Sequence, residues 1–537
     1  MIGVIANQTE HEVVQEFFEL FKTPWEFARE NTRYDVLLCC GEEAGERTAR
    51  VVVIYSSEVG KRYGDGRALV YRNHRLPIYG STHTLSGGNS DLLLDESSGE
   101  AAVQLERFAN GVQCRVGYDL FGEVRALLTS GQPPANAGIP ALELHIALLR
   151  ELITSCGISL FEIPPVPGGS SFIVCLTHDV DHPSIRRHKL DHTAFGFLYR
   201  AIVGSLRDAR RGRISLSNLA ANWKAALKLP FVYLGLAKDF WLSFADRYLE
   251  IEDGVPSTFF VIPFAGRPGK PADAKRNERR AAGYGARDIK GAIDKLQQAG
   301  CEVGLHGIDA WTDPSAAREE LREIRQVTGR SNVGVRMHWL YFDQNSPGVL
   351  EEAGAAYDST RGYNETIGYR SGTTQIYKPL GASRLLELPM HVMDTALFYP
   401  SYLDCSAVAA RERLVRMIEN AAQMGGCLTI NWHDRSIAPE RLWDAPYREL
   451  IRELKSRGAW FATAGQAAAW FQKRRSAAFE MDETVPGGMR VVETKSSDNL
   501  PALRVRIHKA ARTLDEFATT GSERPVSEAT PDLLYCN

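Results

Sequence analysis

Along residues 172–475, short apolar runs alternate with segments in which apolar residues recur with the period of an α-helix. The run Phe172–Leu176 predicts a strand buried on both faces. Between such runs apolar residues recur every three or four positions, as at Ile289, Ile293 and Leu296, which predicts helices with one buried face. Repeated strand–helix units predict a parallel sheet, either doubly wound or closed as a barrel. The further predicted strands are Ser257–Ile262, Cys301–Leu305, Val333–Tyr341, Leu385–Pro389 and Cys427–Trp432.

The chain before this region has a different pattern and no recognisable catalytic constellation. Residues 1–165 predict a smaller α/β or α+β domain, which ends at a linker rich in proline and glycine, Ile163–Gly169. Its predicted strands are Ile2–Ile5, Val36–Cys40, Arg50–Tyr55 and Ala68–Tyr71, and its predicted helices are Glu10–Phe21 and Ala141–Cys156.

Two further segments depart from the strand–helix alternation. Within the predicted barrel domain, 166–475, residues 183–254 form a mostly helical insertion, and Trp223 and Trp241 suggest that it packs on the rest of the domain. Residues 476–537 are a polar C-terminal extension. There Met489–Thr494 and Ala502–His508 are predicted to pair as two strands, and Thr519–Asn537 to form a loose tail.

Composition restricts the class of protein. The 537 residues are 44% hydrophobic and 24% charged, with a formal net charge of −3, so nothing points to a nucleic-acid partner. No apolar run approaches the roughly 20 residues of a membrane helix. The apolar stretch Phe195–Leu206 is followed by several arginines, and we interpret it as a solvated surface helix rather than one lying on a membrane. Nine cysteines without regular spacing and no secretion signal predict a cytoplasmic protein.

Ionisable side chains follow several of the predicted strands, where parallel α/β folds gather their ligand-binding groups. The first strand continues into Asp179 and Asp181, two carboxylates that a strand would point to one side. Carboxylates that close repel each other unless a cation or proton lies between them. The pair therefore suits a metal site, or a base beside a metal ligand, although the same residues also open turns and cap helices.

Histidines follow three other strands. His306 lies beside a glycine after the run Cys301–Leu305, and neutral imidazole is a common ligand of zinc. In Val333–Tyr341, strand periodicity puts Arg336 and His338 on one face, where a guanidinium would lower the pKa of a neighbouring carboxylate. His433 follows the last strand and precedes Asp434, which would set its tautomer in a general acid or base. Taken alone, His306 is better explained as a structural loop histidine. His338 on its own would only pack beside a salt bridge at the end of the sheet, and His433 would satisfy its own loop backbone.

Taken together and in this order, these motifs resemble the polysaccharide deacetylase family over roughly Ser171 to Arg475. The similar segments are Thr177–Asp181, Ser257–Val261, Glu302–His306, Arg336 and Leu428–His433. The resemblance implies a distorted (β/α) barrel of the polysaccharide deacetylase type that removes acetyl groups from sugar polymers. It implies that Asp179 is the base, Asp181 and His306 are metal ligands, Arg336 orients the base, and His433 is the acid supported by Asp394.

One position departs from the family pattern. A second metal histidine is expected four residues after His306, where this chain has Ala310. His338 is the preferred substitute ligand, because it shares the predicted strand face of Arg336, and His182 and Asp309 are the other candidates. The resemblance implies a divalent metal, with zinc expected and cobalt or nickel as alternatives.

The leading hypothesis is a metal-dependent hydrolase that deacetylates an N-acetylated saccharide or polysaccharide precursor. A C–N hydrolase of a non-sugar amide, and a catalytically degenerate barrel that binds a saccharide or a protein, remain alternatives. Aromatic side chains near the motifs would either stack on sugar rings or belong to the core; they are Trp311, Trp339, Tyr341 and Trp432.

Overall fold

The chain folds into two compact units. The first contains Met1–Gly169, Tyr369–Thr373 and Trp470–Asn537, and the second contains Ser170–Gly368 and Thr374–Ala469. The structure is a computed structural model. It describes residues 1–40, 49–56, 61–63, 67–85, 90–108, 111–189, 191–271, 281–482, 488–493, 499–511 and 534–535.

The first unit contains a mixed sheet of six strands, in the order β10-β11-β4-β3-β1-β2. Its strands up to residue 162 are β1 (Ile2–Ile5), β2 (Trp25–Phe27), β3 (Tyr34–Cys40), β4 (Ala49–Tyr55), β5 (Lys61–Tyr63), β6 (Ala68–Tyr71), β7 (His74–Pro77), β8 (Thr82–Thr84), β9 (Leu93–Asp95), β10 (Val103–Phe108), β11 (Gly111–Val116) and β12 (Leu160–Glu162). Its helices there are α1 (His11–Phe21), α2 (Leu120–Leu128) and α3 (Ala141–Ser155). All six elements predicted for residues 1–165 are present, two with the predicted bounds and four with one bound shifted by one or two residues.

The second unit is an α/β domain around parallel strands, as the strand–helix alternation predicts. Its strands are β13 (Ile173–Val180), β14 (Ser257–Val261), β15 (Glu302–Gly307), β16 (Val335–Met337), β17 (Val392–Met393), β18 (Cys427–Asn431) and β19 (Trp460–Phe461). Its helices are α4 (His192–Tyr199), α5 (Ser205–Arg210), α6 (Leu216–Tyr233), α7 (Phe244–Glu252), α8 (Lys290–Gln298), α9 (Pro314–Thr328), α10 (Ser346–Ala353), α11 (Asp394–Phe398), α12 (Ala407–Met424) and α13 (Asp444–Ser456). A last helix, α14, spans Ala464–Ser476.

The parallel sheet has β13 at its centre. The strand order is β16-β15-β14-β13-β18-β17, with β19 also paired to β13, and every pair is parallel. All eight residues of β13 are buried, which explains its continuous apolar run, because both faces of a parallel sheet are covered.

These parallel strands form a half-barrel, which is irregular on the side of β16. Beyond this strand the parallel order continues only through single bridges, Val335 with Asp358 and Asp358 with Glu387. The predicted strand Leu385–Pro389 is therefore wrong as an element, since only Glu387 pairs. The predicted strand Val333–Tyr341 is also too long, because β16 ends at Met337 and a helical turn follows at His338–Leu340.

The segment predicted as a helical insertion is mostly helical in the structure. Residues 183–254 contain α4 to α7, with a π-helical turn at Arg200–Gly204 between α4 and α5. Trp241 is buried in an apolar cluster together with Phe197 and Val232, whereas Trp223 is exposed. Among the described residues, no helix combines the length and the apolar character needed to cross a membrane.

The C-terminal strands pair differently from the prediction. Strand β20 (Ala477–Asp482) forms an antiparallel hairpin with β21 (Gly488–Glu493), and β22 (Arg504–His508) pairs with β12. The predicted pairing of Met489–Thr494 with Ala502–His508 is therefore wrong. Strand β23 (Leu534–Tyr535) also pairs with β22, and the rest of the predicted tail Thr519–Asn537 lies outside the described residues.

Candidate active site

Asp179 lies near the carboxyl end of the central strand, where it is held by two neighbours. Its Oδ1 accepts a hydrogen bond from the Arg336 guanidinium at 3.1 Å, and its Oδ2 accepts one from Nδ2 of Asn431 at 2.8 Å. The backbone N–H of Asp179 also donates to Oδ1 of Asn431 at 3.2 Å. Since the carboxylate is 3% exposed, these bonds fix its orientation at the edge of the sheet.

Arg336 is itself fully buried and tightly bound. Its guanidinium donates to Oγ1 of Thr177 at 2.7 Å, to the carbonyl of Ser359 at 3.0 Å and to the hydroxyl of Ser359 at 2.8 Å. The same group lies 4.5 Å from the ring centroid of Phe260, at a distance typical of a cation–π contact. A buried charge is tolerated only when it is paired and hydrogen-bonded, and here both conditions are met.

Three groups able to bind a metal converge beside this pair. Nε2 of His306 lies 3.4 Å from Oδ1 of Asp181, and Nε2 of His338 lies 3.6 Å from the same oxygen. The three ligand atoms lie within 4.8 Å of one another. Among the described residues, this buried Asp181 oxygen has no hydrogen-bond partner. Two imidazole nitrogens around an unsatisfied carboxylate oxygen form a donor set that suits zinc and similar divalent ions.

The backbone fixes His306 in the orientation of a ligand. Its Nδ1 lies 3.0 Å from the carbonyl of Arg336, which can only accept a hydrogen bond. Nδ1 therefore carries the hydrogen in the neutral ring, and Nε2 presents a lone pair towards Asp181. The adjacent Gly307 packs closely, because a Cβ there would lie 2.7 Å from the sulfur of Met337, whose side chain would have to move.

His338 reaches the cluster from a strained turn rather than from a strand. After β16 ends, Trp339 and Leu340 adopt left-handed φ values of 63° and 56°. Two consecutive non-glycine residues in this region are unusual, and such strain concentrates at functional sites. The predicted shared strand face of Arg336 and His338 is therefore wrong, although the turn still brings His338 to Asp181.

His433 and Asp394 form the second acid–base pair of the site. Nδ1 of His433 lies 2.6 Å from Oδ1 of Asp394, and the backbone N–H of His433 donates to Oδ2 of the same carboxylate at 2.6 Å. The hydroxyl of Ser436 donates to this oxygen as well. Nε2 of His433 lies 3.9 Å from Oδ2 of Asp181, so the other edge of the imidazole faces the metal-ligand cluster.

The neighbouring charges shift the pKa values of the two candidate catalytic residues, Asp179 and His433, in opposite directions. Burial alone would raise the pKa of Asp179, but Arg336 with His306 and His433 lowers it overall. Burial alone would lower the pKa of His433, but Asp394 with Asp181 and Asp179 raises it to about 10. At neutral pH the site therefore holds an ionised carboxylate and a protonated imidazole, an arrangement typical of a base and an acid.

Both groups open into one cavity of about 900 Å³ in the second unit. Trp339 and Tyr341 line it, and the Trp339 side chain is 42% exposed. By contrast, Trp432 is fully buried and stacks on Tyr447 with ring centroids 5.1 Å apart. Trp311, 8% exposed, packs edge-on against Tyr341. Two of the four predicted aromatic candidates are thus available to a ligand, and two are core residues.

The alternative metal ligands predicted from the sequence lie outside the cluster. Nδ1 of His182 lies 3.1 Å from Nε2 of His188, whose other ring nitrogen lies 2.8 Å from Asp191. Asp309 accepts a hydrogen bond from the backbone of Lys270 at 2.7 Å. Neither belongs to the group of ligand atoms around Asp181, for which His338 is the third member.

Asp434 does not contact the imidazole of His433, contrary to the prediction that it sets the tautomer. Its carboxylate accepts hydrogen bonds from the backbone N–H groups of His182 at 2.9 Å and Arg435 at 2.9 Å. Sequence reasoning also missed Asn431 and Ser359, which hold Asp179 and Arg336. The strand register pairs Asn431 with Thr177, and this alignment was the signal that could have found the asparagine.

No family model matches the sequence, and no curated protein matches it either. Several solved structures are similar. A protein from Mycobacterium smegmatis assigned as a polysaccharide deacetylase has 22% identity and a TM-score of 0.37, covering 57% of this chain and 94% of its own.

Two other solved structures show similarity of the same extent. One, from Pseudomonas aeruginosa PAO1, is assigned as a polysaccharide deacetylase, with 15% identity, a TM-score of 0.36, and 57% of this chain and 92% of its own covered. The other is Puue allantoinase, with 16% identity, a TM-score of 0.35, and the same two coverages. Polysaccharide deacetylases are among the solved structures similar to this chain, and the chemistry of the site rests on its own residues.

Proposed function

We propose that the second unit is a metal-dependent hydrolase that removes an acetyl group from an N-acetylated saccharide or polysaccharide precursor. The observation that carries the proposal is that Asp179 and His433 both lie beside the cluster Asp181, His306 and His338. Oδ2 of Asp179 lies 4.0 Å from Nε2 of His306, and Nε2 of His433 lies 3.9 Å from Oδ2 of Asp181. Hydrolysis of an amide needs a base for the attacking water and an acid for the leaving amine.

The metal-ligand cluster supports a resident divalent ion. Asp181, His306 and His338 would hold it, with zinc as the expected ion and cobalt or nickel as alternatives. When bound, such an ion supplies Lewis-acid chemistry, because it lowers the pKa of water and polarises a carbonyl oxygen. A three-residue protein ligand set leaves coordination positions open, as in catalytic rather than structural zinc sites.

The environment of Asp179 fits the role of a general base. Its carboxylate is ionised at neutral pH and is held by Arg336 and Asn431, so that it accepts a proton without changing position. In the proposed reaction water attacks the acetyl carbonyl carbon as Asp179 takes one of its protons. The C–N bond then breaks, and acetate is released together with the sugar amine.

The environment of His433 fits the role of a general acid. The hydrogen bond from Nδ1 to Asp394 leaves Nε2 as the proton donor towards the cavity, and the raised pKa keeps that proton in place at pH 7. The protonated imidazole gives this proton to the leaving nitrogen. The carboxylate of Asp394 orients the ring and stabilises its positive charge.

The cavity supports a saccharide as the ligand. Trp339 presents an exposed indole ring beside the ligand cluster, and Tyr341 lies next to it with ring centroids 6.4 Å apart. Aromatic faces of this kind pack well on the apolar faces of sugar rings. Free, buried thiols such as Cys175 and Cys427 favour a reducing compartment, where an enzyme would meet a precursor rather than a finished polymer.

Acetate release from N-acetylated sugars tests the proposal. The protein is loaded with zinc or cobalt, and acetate is measured with N-acetylhexosamines and their short oligomers, for the wild type and Asp179→Asn. We expect turnover by the wild type. In Asp179→Asn the turnover rate should fall by roughly 100-fold or more, while saccharide binding is unchanged. Saccharide binding without turnover in the loaded wild type would instead identify a catalytically degenerate barrel.

A further inference from the structure

Helix α6 carries an exposed apolar stripe along its length. Leu216, Trp223, Leu227, Phe231 and Leu234, the last at the helix end, recur at intervals of seven, four, four and three residues, which places them on one side. Their exposed fractions range from 44% for Trp223 to 79% for Leu216. Such a continuous row of exposed apolar side chains marks a surface that something else covers.

The stripe is not the face by which the helix packs on its own domain. The inner face of α6 carries Ala225, Leu229 and Val232, which are buried in a cluster with Phe197 and Trp241. The helix is therefore apolar on two sides, and only one side is satisfied by the fold. Among the described residues, eleven of the sixteen exposed large apolar side chains lie between Phe195 and Leu242.

The segment that contains α6 carries a strong excess of positive charge. Residues 209–238 contain no aspartate or glutamate in a chain whose net charge is −3, and their six basic residues are Arg210, Arg211, Arg213, Lys224, Lys228 and Lys238. Arg213 is neutralised by Asp404 at 2.7 Å. Lys224 and Lys228 lie directly beside Trp223 and Leu227, and within the described part of the chain they form no ion pair.

We propose that α6 and the adjoining basic residues form a binding surface for an anionic phospholipid bilayer, with the helix lying in the plane of the interface. An apolar stripe with tryptophan and phenylalanine, flanked by lysines, is what interfacial helices use. Each lysine near an anionic leaflet strengthens membrane binding, because it is attracted to the negatively charged lipid headgroups. A second copy of the same stripe would bring like charges together, so charge complementarity favours the lipid surface.

The proposed surface adjoins the wall of the candidate active site. The hydroxyl of Tyr233, on the last turn of α6, donates to the carbonyl of His188 at 2.5 Å, and His188 lines the cavity. A chain bound to lipid through α6 therefore holds its cavity close to the membrane surface. This placement suits a substrate that is itself attached to the membrane.

Vesicle binding tests the surface without any assay of catalysis. The full-length protein is sedimented with vesicles of phosphatidylcholine alone, and of phosphatidylcholine mixed with phosphatidylglycerol, at low and high salt. We expect binding to the mixed vesicles and at least about tenfold weaker binding at high salt. Leu227→Glu combined with Phe231→Glu should weaken binding about tenfold or more, and Lys224→Gln with Lys228→Gln should reduce its salt dependence.

Val408→Glu is the matched control, because Val408 is 68% exposed on α12 and lies outside the stripe. Hydrogen exchange of 216–234 in the wild type gives a second measurement that needs no variant, and vesicles should protect this segment. Failure of the wild type to bind mixed vesicles would overturn the proposal. So would a dimer in sedimentation velocity that the Leu227 and Phe231 substitutions dissociate, since the stripe would then be an interface between copies.

Discussion

Nδ1 of His433 lies 2.6 Å from Oδ1 of Asp394, a carboxylate that is completely buried. The short distance and the burial make this pair the strongest electrostatic constraint on the candidate acid. Because the Asp394 carboxylate also accepts from the backbone of His433 and from Ser436, it cannot turn away from the imidazole. The ring is therefore held with Nε2 towards the cavity.

Replacement of Asp394 by asparagine should lower the pKa of His433 from about 10 towards the ordinary histidine value of about 6.5. The shape of the side chain is kept, but the negative charge is lost and one acceptor oxygen becomes an N–H donor. Histidine resonances followed by NMR over pH 5 to 11, roughly, in the metal-free protein measure the change. If the imidazole in Asp394→Asn titrated at the same pH as in the wild type, the ion pair would not control this proton.

Removal of single ligands should weaken metal binding by about tenfold or more for each of Asp181→Asn, His306→Gln and His338→Gln. Zinc affinity is measured by competition with a chromophoric chelator, and Asp309→Asn serves as the control because Asp309 lies outside the cluster. A His338→Gln protein with wild-type zinc affinity would mean that another group supplies the third ligand.

Replacement of Arg336 by methionine should destabilise the protein by about 3–5 kcal/mol, because it leaves the buried Asp179 carboxylate without its cation. Thr177 and Ser359 lose hydrogen-bond donors at the same time. Urea denaturation followed by fluorescence and circular dichroism measures the effect. The double variant Arg336→Met with Asp179→Asn removes both charges and should recover part of the loss.

The order of the strands explains why several of the predicted side chains lie close together. Asp179, Asp181 and His433 follow strong apolar runs, and the ends of parallel strands necessarily meet at one edge of the sheet. The strand at Leu385–Pro389 was wrong because its apolar residues are buried without forming a ladder. Burial produces an apolar run whether or not the backbone pairs, so hydrophobicity alone cannot distinguish the two cases.

The positions of His338 and Asn431 depend on features that the sequence does not predict. His338 was chosen as the third ligand because a strand was predicted to carry it, but the strand ends at Met337 and a left-handed turn delivers the side chain instead. Nothing local in the sequence, such as a glycine, marks that turn. Asn431 lies within a buried strand, and its contact with Asp179 depends on the register of two strands 252 residues apart in sequence.

Acid should destabilise the first unit through Glu162. Burial alone would raise the pKa of this carboxyl, but Arg150, at 2.9 Å, and His508, at 2.7 Å, lower it to about 2. A carboxyl with a depressed pKa contributes stability above its ordinary pKa of about 4.3, and that contribution is lost as the pH falls towards 2. The hydrogen-exchange protection factors of β12 and β22, which correct for the intrinsic pH dependence of exchange, should fall over this range, and Glu162→Gln should remove most of that fall.

Trp339 in the cavity and Trp432 in the core should respond in different ways to replacement by alanine. Trp339 is 42% exposed and lines the cavity, so Trp339→Ala should raise KM for a saccharide by roughly 5- to 20-fold, while the free energy of unfolding changes by less than about 1 kcal/mol. Trp432 is buried against Tyr447, so Trp432→Ala should cost about 3–5 kcal/mol of stability. Steady-state kinetics and urea denaturation of both variants separate the two roles. An unchanged KM in Trp339→Ala would show that its ring does not contact the substrate.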